Sequence, residues 1–568
     1  MESLHVIKRG LFLATKKGLD VIETGYTKGM TLIKSRKEIP AQIVPIISHI
    51  EEQLKSYSPF TIIIFTLVVI IIFRTICVVL SKMKNTWKNR LSFKDMLTTL
   101  YFMTPGAKKK LEEAKKKARE EFKKLFKISK YKKIEFRDNK QNETTILKQI
   151  EQMSKGDTEA ASCGKLTGAV YCDDSKVKYI ASEANKIFSY SNLLHSDLYC
   201  GARFIESQLI KIGLDLFNGK EDSCGMTTSG GTYSILSAIY SYVKRGKSMG
   251  IKHPNIVVPI TAHAAFFKAA DMFGAECIKV PIDKVTAQVV LSKVRRSINK
   301  NTVCIVGSCP NFPHGIADDI EGLSEIAVKY NVPLHVDCCL GGFLVAFFQK
   351  GNIKMPKFDF NLKGVTSISA DLHKYGLCPK GISLLMYSKH EYRKFNYFMY
   401  PRFMGGLYVT PSFDGSRTAG LIAASYAVLT SLGKNVYVNI AKAINEAVCK
   451  VKKFIEKECD LIKVIGDPYI CSVAFTGQKI EYFYDEMGRR GWHFNMIIDP
   501  VGCSFVFTSA NMNNVDTFIK DLRETHKLIK EGKQQPLSEE TKLYGMTIPL
   551  PENIANQTLD VLLDSILD

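Results

Sequence analysis

Ser369-Ala370-Asp371-Leu372-His373-Lys374-Tyr375-Gly376 puts a lysine just past Ser367-Ile368-Ser369-Ala370, a run that reads as a buried strand. Lysines normally sit on solvated faces. At the end of a buried strand, desolvation lowers the pKa and makes the amine a usable imine-forming nucleophile. The sequence on either side says which sheet this strand joins. Ile256-Val257-Val258-Pro259-Ile260, Glu276 to Val280, Thr302 to Gly307 and Pro333 to Asp337 read as strands upstream, and Ile382 to Tyr387 as one downstream. Glu321 to Tyr330 reads as a helix between two of them. Strands alternating with helices predict an α/β domain with a mostly parallel sheet and ligands at the strands' carboxyl ends. A helical stretch from about Leu421 leads out of it, and residues near 450–525 read as a smaller α/β unit.

Three further features fall at those strand ends. Thr228-Ser229-Gly230-Gly231-Thr232 opens the helical run Tyr233 to Arg245, where small residues let backbone N–H groups close around a phosphate. Alone, such a loop is more often a turn. His263 follows a strand directly, and Asp337 ends one. Singly, the histidine reads as structural and the aspartate as a helix cap or the partner of a cation. With Lys374 they match the needs of pyridoxal phosphate: a lysine for the Schiff base, an acid for the ring nitrogen, a flat group over the ring and a phosphate cradle. The spacings are 32 residues from Gly231 to His263, 74 to Asp337 and 37 to Lys374. They are characteristic of fold type I, the aspartate-aminotransferase-like class, in its decarboxylase branch, and the His373-Lys374 dipeptide fits that branch. No metal site is expected. Cys338-Cys339 lacks further ligands nearby in sequence and reads as core packing. Gly246-Lys247-Ser248-Met249-Gly250 matches the serine-hydrolase string without the strand before it, and reads as a turn.

From about Gly168 to Asn511 the chain resembles the sphingosine-1-phosphate lyase family. The resemblance rests on His195-Ser196-Asp197-Leu198, Asp222 to Thr232, Thr261 to Phe266, Pro313-His314-Gly315, His335 to Phe343, Ser369 to Gly376 and Gly415-Ser416-Arg417. It implies a carbon–carbon lyase that takes phosphorylated long-chain bases. It implies Lys374 as the Schiff-base lysine, Asp337 at the ring nitrogen and His263 stacked on the ring. Ser229, Gly230, Gly231, Thr232, His373 and Ser416 would complete the cofactor site. Tyr171, Asn192, His195 and Lys380 would line the substrate end. Ser416 and Arg417 resemble a loop that reaches the partner's active site, so a homodimer is implied. Three positions depart from the family: Tyr233 stands for Glu, Cys338 for Ala and Leu372 for Thr. The rival readings are an amino-acid decarboxylase of the same fold and a catalytically dead membrane scaffold.

Composition bounds the rest. The 568 residues are 46% hydrophobic and 24% charged, which is ordinary globular usage. Of the net charge of +22, a net +13 lies between Lys82 and Lys140, with no aromatic platform beside it. That argues against nucleic acid and for a solvated linker, one able to lie against anionic lipid. Just upstream, Phe60 to Leu80 supplies 21 mostly apolar residues, with Arg74 the one charge among them. About 20 are needed to cross a bilayer core. Fifteen cysteines without a C-x-x-C pair favour a reduced compartment.

Lys82, Lys84, Lys88, Arg90 and Lys94 follow the span against only Asp95, while Glu51 and Glu52 outnumber Lys55 before it. The positive side stays cytoplasmic. The expected organisation is a lumenal segment 1–58, a transmembrane helix 59–81 and a basic cytosolic linker 82–140. The catalytic domain 141–430, a small domain 431–525 and a tail 526–568 follow. Residence in the endoplasmic reticulum rests on the resemblance alone. Removing residues 1–81 should give a soluble, active protein that no longer pellets with membranes. A folded but inactive truncation would show that the segment also shapes the catalytic part.

Overall fold

The computed structural model describes residues 140–538 continuously, with scattered positions at 106–120 and 541–564. The segment expected to span a membrane, 59–81, lies outside the described residues, as do the segment 1–58 expected to be lumenal and most of the basic linker. Among the described residues no helix is long and apolar enough to cross a membrane. Contacts divide the chain into one unit of residues 126–549 and another made of 1–125 with 550–568. The larger unit carries the chemistry.

Its main sheet has seven strands in the order β1-β7-β6-β5-β4-β2-β3. They are β1 (Cys224–Thr228), β2 (Asn255–Pro259), β3 (Glu276–Val280), β4 (Thr302–Ser308), β5 (Leu334–Asp337), β6 (Val365–Ala370) and β7 (Ser383–Tyr387). Every residue of β1, β2 and β4 to β7 is buried, as expected of strands covered by helices on both faces. β2, β3, β4, β5 and β6 pair in parallel. β7 pairs antiparallel with both β6 and β1, so β1 runs the same way as β6. The residues after β1, β2, β5 and β6 therefore emerge at one edge, and the residues before β7 arrive there too.

Local chemistry sets the element ends. Asp319 caps the helix Ile320–Tyr330 by accepting the Gly322 N–H at 2.9 Å, and Asn331, at φ 51°, ends it. The fully buried Asp318 carboxylate accepts N–H groups from Val289 and Ser308, both at 2.9 Å, tying two loops to the end of β4. The helix Gly231–Ser248 runs through Gly246 to Ser248, so the serine-hydrolase-like string begins in a last helical turn.

The long helix Gly420–Glu458 crosses residue 430 and is broken at Gly433, whose φ of 68° leaves the helical region. Beyond it, β10 (Ile462–Val464), β11 (Ser472–Gly477), β12 (Asn495–Ile498) and β13 (Val501–Val506) form a sheet in the order β10-β11-β13-β12. β1 was not anticipated from the sequence, and neither were two further strands, β8 (Phe398–Tyr400) and β9 (Tyr408–Thr410), which make a separate hairpin. At three residues each, β8 and β9 are too short for a period-two reading to detect.

Aromatic rings fill the core beside this four-stranded sheet. Phe505 is wholly buried, with ring centroids of Trp492, Phe494, Phe507 and Phe518 within 5.0 to 5.6 Å. Next to it, the Phe507 carbonyl accepts the Tyr375 hydroxyl at 2.6 Å, so this core braces the turn that carries Lys374. Phe505→Ala should cost about 3–5 kcal/mol through lost burial and the cavity left behind. A lowered urea midpoint would record it, and an unchanged midpoint would mean that the ring cluster collapses without penalty.

Candidate active site

The common edge of the main sheet opens into a cavity of about 480 Å³. Ser229, Gly230, Gly231, Thr232, Tyr233, His263, Cys339, Asp371, His373 and Lys374 line it with Ile235 and Leu236. The glycine loop after β1 forms one wall. Gly230 has φ 140° and offers no side-chain acceptor to the first-turn N–H groups of the helix Gly231–Ser248. Those donors, at the positive end of an eighteen-residue helix, suit a phosphate. His373 flanks the loop, its Cε1 3.5 Å from where a Cβ on Gly230 would lie. Its Nδ1 donates to the Ile382 carbonyl at 2.9 Å, which turns Nε2 toward Asp371 at 3.5 Å.

His263 reaches the cavity from the end of β2. Its Nδ1 accepts the Ala265 N–H at 3.1 Å, leaving Nε2 to carry the proton of the neutral ring. Asp337 ends β5 and takes two bonds on Oδ1, from the Cys339 N–H at 2.9 Å and the Ser369 hydroxyl at 3.3 Å. Beneath it, His335 is held between Ser367 and Ser369, at 2.7 and 3.1 Å. Burial pushes this histidine down to about 4, so it is neutral.

Lys374 follows β6 in a turn fixed by Tyr375 and by the Tyr437 hydroxyl, which donates to the Gly376 carbonyl at 2.8 Å. Its surroundings correct the expectation of a depressed pKa. Burial is the largest single influence and acts downward, but the Asp371 carboxylate, 2.9 Å from Nζ, acts with Cys339 and Tyr171 to hold the ammonium above the ordinary lysine value. Asp371 was not singled out in the sequence, although it stands one residue past a buried strand, as Asp337 stands at the end of one.

Tyr171 and Lys380 gather behind this turn. Lys380 Nζ lies 4.7 Å over the Tyr171 ring, and Tyr171 packs edge-on to Tyr375 at 5.0 Å. Local burial and the charge of Lys374 push Lys380 below the ordinary lysine value, while burial pushes the Tyr171 phenol up. The remaining expected residues form a separate cluster. Asn192 donates to Ser416 Oγ at 2.9 Å and accepts the Arg417 N–H at 3.1 Å, and Arg417 pairs with buried Glu206. His195 and Ser416 are exposed, and neither lines the cavity. The departures sort themselves. Cys338 and Leu372 are fully buried in the core, whereas Tyr233 lines the cavity and its hydroxyl accepts the Asp414 N–H at 3.0 Å.

A lysine turn, a glycine cradle and a histidine at one strand edge define a pyridoxal-phosphate-dependent enzyme of the decarboxylase-like α/β fold. Residues 212–478 match the model of the pyridoxal-dependent decarboxylase conserved domain. The chain is 41% identical to a sphingosine-1-phosphate lyase of Saccharomyces cerevisiae over 67% of its own length and 66% of that protein's. It is 39% identical to sphingosine-1-phosphate lyase 1 of Rattus norvegicus over 71% and 72%. The structure of a sphingosine-1-phosphate lyase from Burkholderia pseudomallei superposes with a TM-score of 0.68 at 36% identity, covering 70% of this chain and 93% of that one. The chain belongs to the sphingosine-1-phosphate lyase family and is a pyridoxal-phosphate-dependent lyase.

Asp337→Asn keeps an oxygen for the Cys339 N–H, so the fold should survive. Single-turnover cleavage should slow by orders of magnitude, because a neutral amide cannot hold a ring nitrogen protonated. A rate equal to the parent's would make Asp337 a turn cap only.

Proposed function

We propose that the cavity cleaves the C2–C3 bond of a phosphorylated long-chain base, in the retro-aldol sense, to a fatty aldehyde and phosphoethanolamine. The observation that carries this reading is the convergence of Lys374 and the glycine cradle in one cavity of a family member. Lys374 would hold the cofactor covalently, Asp337 would face its ring nitrogen and His263 would stack on the ring. Ser229, Gly230, Gly231, Thr232 and His373 would hold its phosphate. Once bound, the cofactor supplies an electron sink for the charge left at C2.

The chain's own residues would do the rest. Lys380, held below the ordinary lysine value beside Tyr171, is suited to move the proton of the C3 hydroxyl. Burial around Tyr171 keeps its phenol protonated, so it acts as a donor rather than a base. Ser416 and Arg417 would reach the other copy's cavity across a homodimer, with the Asn192–Ser416 bond joining their loop to the turn that carries His195, which would line the substrate end.

The same reading includes a single-pass anchor at 59–81 in the endoplasmic reticulum membrane, with residues 1–58 lumenal and the basic linker 82–140 cytosolic. Catalytic residues 141–430, the small domain 431–525 and the tail 526–568 would then face the cytosol. The substrate's alkyl chain partitions into lipid while its phosphate faces water, so a tethered site meets it at the surface. The fifteen cysteines without a C-x-x-C pair accord with that side of the membrane.

Incubation with a long-chain base phosphate should release aldehyde and phosphoethanolamine, and Lys374→Ala should abolish both. Glutamate and aromatic amino acids should give no carbon dioxide. Carbon dioxide without aldehyde would replace the lyase reading with the decarboxylase one.

A further inference from the structure

The buried carboxylate of Asp371 is explained neither by phosphate binding nor by bond cleavage. Its side chain is 1% exposed, and its Oδ1 has no hydrogen-bond partner. Oδ2 lies 2.9 Å from Lys374 Nζ and 3.5 Å from His373 Nε2. A charge taken out of water this completely persists only where a counter-charge offsets the loss of hydration. Lys374 is that counter-charge. The carboxylate is also flush against the cradle, because a Cβ on Gly231 would meet Asp371 Oδ2 at 2.7 Å and Oδ1 at 2.8 Å.

We propose that Asp371 is a positioning residue: a dock that holds Lys374 as an ammonium against the cavity wall whenever the lysine is not covalently engaged. Gly231 is glycine because any larger residue would displace the dock. Capturing an aldehyde requires the ammonium to lose a proton and its nitrogen to bond the carbonyl carbon, while the carbonyl oxygen leaves as water. The proton so released stays with the Asp371–His373 pair, which would otherwise keep a buried, unbalanced negative charge. When a substrate amine displaces the lysine, the same pair returns the proton and draws the ammonium back to the wall. Displaced Lys374 is thus an acid rather than a base, which leaves the C3 hydroxyl to another group.

The inference rests on the reading of Lys374 as the cofactor lysine, but its test does not need turnover. Lys374 is faced by Asp371, His373 and Lys380 on its own loop, by Cys339 after β5, by Tyr171 from the N-terminal segment and by Cys471 from the small unit. Asp371 is the acid in contact with it. Competitive acetylation of the full chain, freed of cofactor, reads the two lysines separately by mass spectrometry.

At pH 8, Lys374 should acetylate at least about tenfold more slowly than Lys380, one pKa unit of difference being a factor of ten. Asp371→Asn should close or reverse that gap and should move the capture of added pyridoxal phosphate to lower pH. Asp371→Glu should restore part of the difference. A merely structural loosening would raise both lysines together and would count against the dock. So would parent Lys374 acetylating as fast as Lys380, a result available without any variant. Lack of activity on long-chain base phosphate would overturn the proposed function and leave this result standing.

Discussion

The ion pair between Lys374 and Asp371 holds this site together, and it can form because both residues leave the sheet at the same point. β6 ends at Ala370, and the turn that follows brings Asp371 Oδ2 and Lys374 Nζ to 2.9 Å. In water such a pair would be worth little. Here its carboxylate is almost wholly excluded from solvent, so removing Lys374 would leave a buried charge without its nearest counter-ion. The cradle glycine, the flanking histidine and the turn braced by Tyr375 and Tyr437 are all arranged around that pair.

The reversal of one strand makes the arrangement possible. Because β7 alone runs against its neighbours, its incoming end lies beside the outgoing ends of β1 and β6. That places Lys380 on the approach to β7, next to the turn after β6, where its ammonium also reaches the His373 carbonyl at 3.4 Å. Two lysines six residues apart are thus shifted in opposite directions by their surroundings. A carboxylate contact holds one up, while burial and the neighbouring cation push the other down.

Much of this was legible in the sequence, for identifiable reasons. The strands were readable because they are buried on both faces and so appear as unbroken apolar runs, from Ile256 to Val258 and from Val303 to Val306. His263 and Lys374 were readable because each follows a run read as a strand, and strand ends are where this architecture puts ligands, whereas Gly231 was readable from its glycine loop and the helix it opens. Less visible was anything fixed by contact between distant residues. The pairing of Arg417 with Glu206 joins residues 211 apart in the chain, and no local pattern announces it. Nor does period or propensity reveal that β7 is reversed. The direction of the Lys374 shift was misjudged for the same reason, since burial can be inferred from a strand and a counter-ion cannot.

Tyr233 shows how a departure from a family pattern acquires meaning only in three dimensions. At that position a carboxylate would place negative charge in the first turn of the helix proposed to cradle the cofactor's phosphate. The phenol instead points its oxygen at the Asp414 N–H, and its ring lies 5.5 Å from Phe413. Phe413 in turn stacks on Phe273 at 5.9 Å, so the segment leading to Ser416 and Arg417 is clasped to the helix that begins the cradle. A ring with one hydroxyl holds that segment without adding a charge beside an anion site. The substitution therefore leaves the cradle's electrostatics to its backbone dipoles, to His373 and to the Lys374–Asp371 pair.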